Sequence, residues 1–207
     1  MSTFFTSDHH FGHANILKYQ GETRPYKNLH DMHVAYTEQW NRQVGPDDTV
    51  YHLGDFCMGG YHDCVKYLAR LNGKIMLVPG NHDKWFRDNL HRPPESASGY
   101  KIQVLPLIHI AHHEGQMLVM CHYPMRSWPH SFYDSWHLYG HVHKSLTPWG
   151  MSMDVGVDSR VGRLCTWDDI TQHMAKQKQW LNEHKDQFAR VPKVEDRDDE
   201  EEVPNVG

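Results

Sequence analysis

Short apolar runs that stop at an aspartate recur through the first half of this chain. "STFFTS" and "DTVYHLGD" read as strands of this kind, and "GKIMLVPGNHD" repeats the design with near-continuous apolar positions before a turn. Between the first two runs, "NLHDMHVAYTEQWNRQV" places Leu29, Met32, Val34 or Ala35, Tyr36 and Trp40 at helical spacing, with Asn28 as its N-cap. A shorter amphipathic helix, "YHDCVKYLARL", separates the next two. Strand and helix in alternation predict βαβ units and a parallel sheet.

The second half changes character. "YKIQVLPLIHIAHHEGQMLVMCHYP" offers strands around a Glu-Gly turn, and "WHLYGHVH", "GMSMDVGVD" and "GRLCTWDD" follow as short strands without long helices between them. A second, more antiparallel sheet is expected. A last helix runs from about Asp168 to Arg190, with Pro192 as its stop. Two sheets with helices outside each make an αββα sandwich, a four-layer α/β fold.

Composition narrows the classes. The chain has 207 residues, room for one ordinary domain over residues 1–190, and holds no apolar run near the roughly 18 residues that span a membrane. No basic segment with an apolar core opens it, and Cys57, Cys64, Cys121 and Cys165 form no CxxC pair, so reduced thiols in a cytoplasm are expected. Of the net charge of −5, all resides in "VPKVEDRDDEEEVPNVG", with seven acidic and two basic residues, which reads as a solvated, disordered tail over 191–207. The neutral remainder lacks the basic stripe that grips duplex nucleic acid. Histidine is the outlier: 19 residues, dispersed rather than run together.

Ligand-type side chains gather at the strand ends. They are Asp8 and His10 in "SDHH", Asp55 in "LGD", Asn81 and His82 in "PGNHD", His122 in "MCHYP", and His141 and His143 in "GHVH". In an extended segment residues i and i+2 point the same way, so Asp8 with His10, and His141 with His143, are expected to form same-face pairs. Glycine precedes Asp55, Asn81 and His141, where a backbone must turn or approach a ligand closely.

The set resembles the calcineurin-like metallophosphoesterase superfamily, whose pattern is DxH, GD, GNH followed by D or E, a lone H, and GHxH. All five blocks occur here in that order between Asp8 and His143. The strings "TSDHHFGHANI", "RPY", "WN", "VYHLGDF" and "HYP" resemble a bacterial and phage branch of predicted phosphoesterases, so the cytoplasm in question is bacterial, or a host's. The resemblance implies the four-layer fold and a two-metal hydrolase. It places Asp8, His10, Asp55 and His143 on one ion and Asp55, Asn81, His122 and His141 on the other, with Asp55 bridging. Imidazole mixed with carboxylate suits Mn²⁺, Fe, Zn²⁺ or Ni²⁺. The resemblance also implies that water activated between the ions attacks phosphorus in line and that His82 is the general acid for the leaving oxygen. An aspartate that orients this histidine in some relatives is replaced by Met58, which leaves Asp83 as a candidate for that task or for a helix cap.

His13 and Arg24 are expected to reach phosphate oxygens, and Arg126 to meet a second one. Trp128, Trp136 and Trp149 serve either packing or base stacking, and "YPMRSWPHSFYDSWH" is the candidate specificity loop. His9, His52, His109, His112 and His113 read as structural, and Cys64 as core. The expected substrate is a phosphomonoester or small phosphodiester of nucleotide-like chemistry. Two rivals stand beside this: a non-catalytic binding protein on the same fold, and another dinuclear metal hydrolase, whose HxHxDH run is absent.

Overall fold

A computed structural model describes residues 1–86, 89 and 91–184. The acidic tail 191–207 and residues 185–190, to which the final helix is expected to extend, lie outside these residues.

Among the described residues nine strands form two sheets. In the first, β1 (Thr3–Thr6), β2 (Thr49–His52), β3 (Lys74–Leu77) and β4 (Gln103–Val104) run parallel, and β9 (Cys165–Thr166) joins antiparallel beside β1. In the second, β5 (Ile108–His113) and β6 (Gln116–Cys121) form a hairpin, and β7 (Trp136–Tyr139) and β8 (Ser152–Asp154) add parallel to β6. The helices are α1 (Ile16–Tyr19), α2 (Leu29–Gln43), α3 (Tyr61–Leu68) and α4 (Trp167–Glu183). The result is an α/β fold of two mixed sheets flanked by helices. The second sheet is less antiparallel than the sequence suggests. Its connections 122–135 and 140–151 carry no helix, yet each is as long as the dozen residues a parallel crossover needs.

The alternation of side chains along β1 explains the layering. Phe4 packs with Met32, Tyr36 and Trp40 of α2 and with Cys64 and Leu68 of α3 on one face. Phe5 packs with Leu118, Met120 and Leu138 of the second sheet and with Ile170 and Met174 of α4 on the other. A strand buried on both faces must be apolar at successive positions. In α2 the buried residues Met32, Tyr36 and Trp40 recur every four residues, and the Asn28 side chain accepts from the Asp31 N–H at 2.9 Å as its cap. Thr166 and Asp169 form a capping box at the start of α4. No helix among the described residues is long and apolar enough to cross a membrane.

This topology sets the site. Thr6, His52 and Leu77 align in register at the carboxyl ends of β1, β2 and β3, so the segments that follow emerge side by side. Bridges Phe11↔Cys57 and Ser7↔Gly156 continue the alignment beyond the strands, and the second joins the first sheet to the segment after β8. Crevices at the carboxyl ends of parallel strands are where open α/β sheets bind ligands.

Trp40 is fully buried, packs edge-on to His9, and donates its indole N–H to Asn72 O at 2.9 Å. Trp40→Ala is expected to lower stability by about 3–5 kcal/mol in urea unfolding, as for a large core truncation. A loss below about 1 kcal/mol would contradict this packing.

Candidate functional site

The ligand-type residues converge, but not by the extended geometry expected for them. Asp8, His10, Asp55, His141 and His143 have φ of 60°, 51°, 52°, 70° and 47°, the left-handed region that side chains rarely adopt. The loops carrying the first three run alongside each other: Asp8 N–H donates to Gly54 O, His10 N–H to Asp55 O and Phe11 N–H to Phe56 O, each at 2.9–3.0 Å. The chain coils after each strand, so the extended i, i+2 geometry does not hold: Asp8 and His10 still meet in one group of ligand-type atoms, whereas His141 and His143 fall into different groups.

Among the described residues three overlapping groups result: Asp8, His10 and His143; His10, Asp55 and His82; and Asp55, His122 and His141. Within each, the ligand atoms lie within 4.8 Å of one another. Asp55 Oδ2 stands 3.5 Å from His10 Nε2, 3.4 Å from His122 Nε2 and 3.9 Å from His82 Nε2. Asn81 Oδ1 lies 3.1 Å from His122 Nε2, which brings the amide to the second half of the cluster. His122 Nδ1 faces Leu53 O at 2.7 Å, an arrangement that turns Nε2 inward.

The cluster fits a cation on its own chemistry. Asp8 is fully buried, and its Oδ2 accepts from Ser7 Oγ and the His141 N–H while Oδ1 has no hydrogen-bond partner; nor does His10 Nε2, 3.8 Å away. Two buried polar atoms aimed at one point without a donor between them are costly unless something positive binds both. Burial pushes the Asp8 carboxyl up to about 6 and the His10 imidazole down to about 2. At His122 burial disfavours the charge, but its bond to Asp55 and the field of Asp8 prevail and raise it to about 9. Asp55 resists its own burial through the same imidazoles and the His82 N–H, and stays below the ordinary carboxylate range. An ion that displaced the His122 proton would meet neutral imidazoles and ionised carboxylates, a set that suits a transition-type metal.

Glycine is required where the walls meet. A Cβ on Gly54, at φ 92°, would lie 2.5 Å from Gly80 N and 2.7 Å from His122 Nδ1, and one on Gly140 would collide with Ser7 Oγ and Asp8 Oδ2.

Two expectations are corrected. Arg24 does not face a substrate: it is fully buried, and Nε and Nη2 bind Asp158, while Nη1 and Nη2 hold the carbonyls of His9 and Asp8. Among the described residues Asp83 makes no hydrogen bond to the His82 ring or to the turn after it. Its carboxylate accepts from the N–H groups of Asp55, Phe56 and Gly80 at 2.7–2.9 Å, a clamp on the Gly54–Asp55 turn. Of its two readings Trp128 takes the packing one, buried with its indole N–H on Ser135, and Arg126 lies 3.6 Å over the Trp149 ring. Trp136 stacks on Trp167.

Other expected residues are brought to the cluster. His82, with its side chain 31% exposed, sits over its outer edge, 5.3 Å ring to ring from His10. His13 stands at the rim with Nδ1 3.4 Å from His10 Nδ1. Met58 is exposed and offers no hydrogen bond to His82. The buried histidines His9 and His52 pair with each other at 2.9 Å between Nδ1 and Nε2, and Cys64 lies in the core. Asp158 was not singled out from sequence, although it is another aspartate just past a strand; its Oδ2 lies 2.7 Å from His143 Nδ1. Two clefts border the cluster: one of 590 Å³ lined by Lys18 to Thr23 with His143 and Lys144, and one of 570 Å³ lined by Met58, Tyr61, His82, Lys84 and Trp85 among others.

An uncharacterized protein of Methanocaldococcus jannaschii, MJ1445, is 30% identical over 164 residues, 75% of this chain and 81% of that one. The chain belongs to the family of that archaeal protein. No family model matches it. The gene 66 protein of Mycobacterium phage D29 is 38% identical over 86 residues, which span 40% of this chain and 41% of the phage protein. Among solved structures, the protein of unknown function AQ665 from Aquifex aeolicus superposes with a TM-score of 0.64 at 22% identity, over 83% of this chain and 98% of that one. The two share a fold.

Gly54→Ala is expected to displace the Asp55 turn from the Pro79–Gly80 segment and His122, because all three meet at the missing Cβ. Equilibrium metal titration should show affinity reduced by at least about tenfold, the scale for disturbing what orients a ligand. Unchanged affinity would contradict the close packing assigned to this turn.

Proposed function

We propose that this protein is a phosphoesterase that works with two divalent ions and hydrolyses a phosphomonoester or small phosphodiester. The observation that carries the reading is the cluster in which Asp55 belongs to two overlapping sets of ligand-type atoms while Asp8 Oδ1 and His10 Nε2 lack partners. Asp8, His10, Asp55 and His143 would hold one ion, and Asp55, Asn81, His122 and His141 the other. When bound, such ions supply Lewis-acid charge to phosphoryl oxygens and lower the pKa of water.

The chain's own residues account for the rest. His82, partly exposed between the cluster and the 570 Å³ cleft, delivers a proton to the leaving oxygen. The leaving group lies over Met58, Tyr61 and Trp85, and His13 meets a phosphoryl oxygen at the rim. Lys18 and Lys144 line the opposite cleft, which suits a further anionic group. Both clefts have the size of sites for small ligands. A nucleotide-like phosphoester combines an apolar ring with anionic groups and matches this pair of clefts. A neutral body matches it better than long duplex nucleic acid, which demands several phosphate contacts from Lys and Arg.

Two measurements test the reading. Added Mn²⁺ should raise the melting temperature of the metal-free chain, since a ligand at about 100 times its Kd adds about 2.7 kcal/mol; Asp55→Asn should abolish that rise along with turnover. Full metal content and turnover in Asp55→Asn would overturn the shared-carboxylate assignment. His82→Ala should cut turnover of alkyl phosphoesters by about 10²–10⁴, and of an activated aryl ester by less, with metal content intact. Equal loss on both esters, or loss of metal, would contradict the acid role.

A further inference from the structure

Asp158 lies in the turn Val157–Ser159 directly after β8, 134 positions from Arg24 in sequence. Neither side chain is exposed at all. Asp158 Oδ1 accepts from Thr23 Oγ1 at 2.5 Å and Arg24 Nε at 2.9 Å, and Oδ2 accepts from Arg24 Nη2 at 2.6 Å. The same Oδ2 lies 2.7 Å from His143 Nδ1.

A carboxylate gripped by both arms of a guanidinium stays ionised and has only acceptors to offer. The proton in its bond with His143 is therefore on Nδ1. The ring's lone pair is left on Nε2, the nitrogen free to join Asp8 and His10. Arg24 also donates Nη2 to Asp8 O at 2.6 Å and Nη1 to His9 O at 3.1 Å, so one ion pair grips the backbone that carries two ligands and the ring of a third. His141, Asn81 and His122 make no hydrogen bond with either partner among the described residues.

We propose that Asp158, backed by Arg24, is a positioning residue that fixes the tautomer and direction of His143 and thereby sets the affinity of the Asp8–His10–His143 half of the cluster for its cation. The inference rests on the metal reading above. Removing the carboxylate that orients a ligating histidine weakens metal binding by about 10–100-fold.

The test is competition between the full chain and a chromophoric chelator for Mn²⁺ or Zn²⁺, with unfolding of the metal-free protein followed separately. Asp158→Asn should weaken one of two affinities by about 10–100-fold and leave the other unchanged. In a His143→Ala background the same substitution should lose most of its effect, because the ring it chiefly acts through is gone. Loss from both sites together, or a loss undiminished in the His143→Ala background, shows a general packing role and overturns the proposal. Should Asp158→Asn fail to fold, ring-nitrogen NMR of the Zn²⁺-loaded wild-type chain decides: a protonated Nδ1 on His143 supports the proposal, and a protonated Nε2 overturns it. A wild-type chain that takes up no cation overturns the metal reading and this inference with it; two bound ions with an indifferent Asp158→Asn overturn this inference alone.

Discussion

Asp8 and Asp55 are carboxylates with almost no exposure to water, held at the neighbouring ends of β1 and β2 where the two strands run parallel. Burying an ionised group without a counter-charge costs several kcal/mol, and here two such groups share one small volume. Burial raises the Asp8 carboxyl, while Asp55 stays ionised only because His122, His10 and the His82 N–H surround it. Nearly every unusual feature of the molecule answers to that requirement.

The backbone answers it first. Five cluster residues adopt left-handed φ, at roughly 1–2 kcal/mol per residue for side chains other than glycine. Such strain persists only where surroundings over-determine it. Asp83 supplies part of that constraint by taking three N–H groups of the segments around Asp55. The hydrogen bonds between residues 8–11 and 54–56 supply more, and Arg24 completes it from below by fastening two carbonyls of the first loop to Asp158. Glycine at positions 54 and 140 then lets the walls close to distances that any side chain would forbid.

How much of this was readable in sequence follows from the range of each interaction. The apolar runs of β1, β2 and β3 and the four-residue spacing of Met32, Tyr36 and Trp40 are local, and they gave those three strands and α2 directly, whereas β4 and β9, which read as strands of the second sheet, join the first through contacts with distant segments. The order of ligand-type residues along the chain was equally plain, since each sits just past a strand end. Local patterning does not report what a side chain meets from another part of the chain. Arg24 read as a substrate ligand because its partner lies 134 residues away. Asp83 read as a partner of its neighbour His82, whereas it bonds the Asp55 turn 28 residues upstream. The parallel run of β6, β7 and β8 was hidden for a related reason: its crossovers are helix-free loops, which leave no periodic signal.

The most direct test of the central claim, that Asp55 is shared between two cation sites, is a crystal of the full chain soaked in Mn²⁺ with its anomalous scattering recorded. The account predicts two peaks about 3.5–4 Å apart, one on each side of the Asp55 carboxylate, the first against Asp8, His10 and His143 and the second against Asn81, His122 and His141. A single peak, or peaks that leave Asp55 outside their coordination, would contradict it.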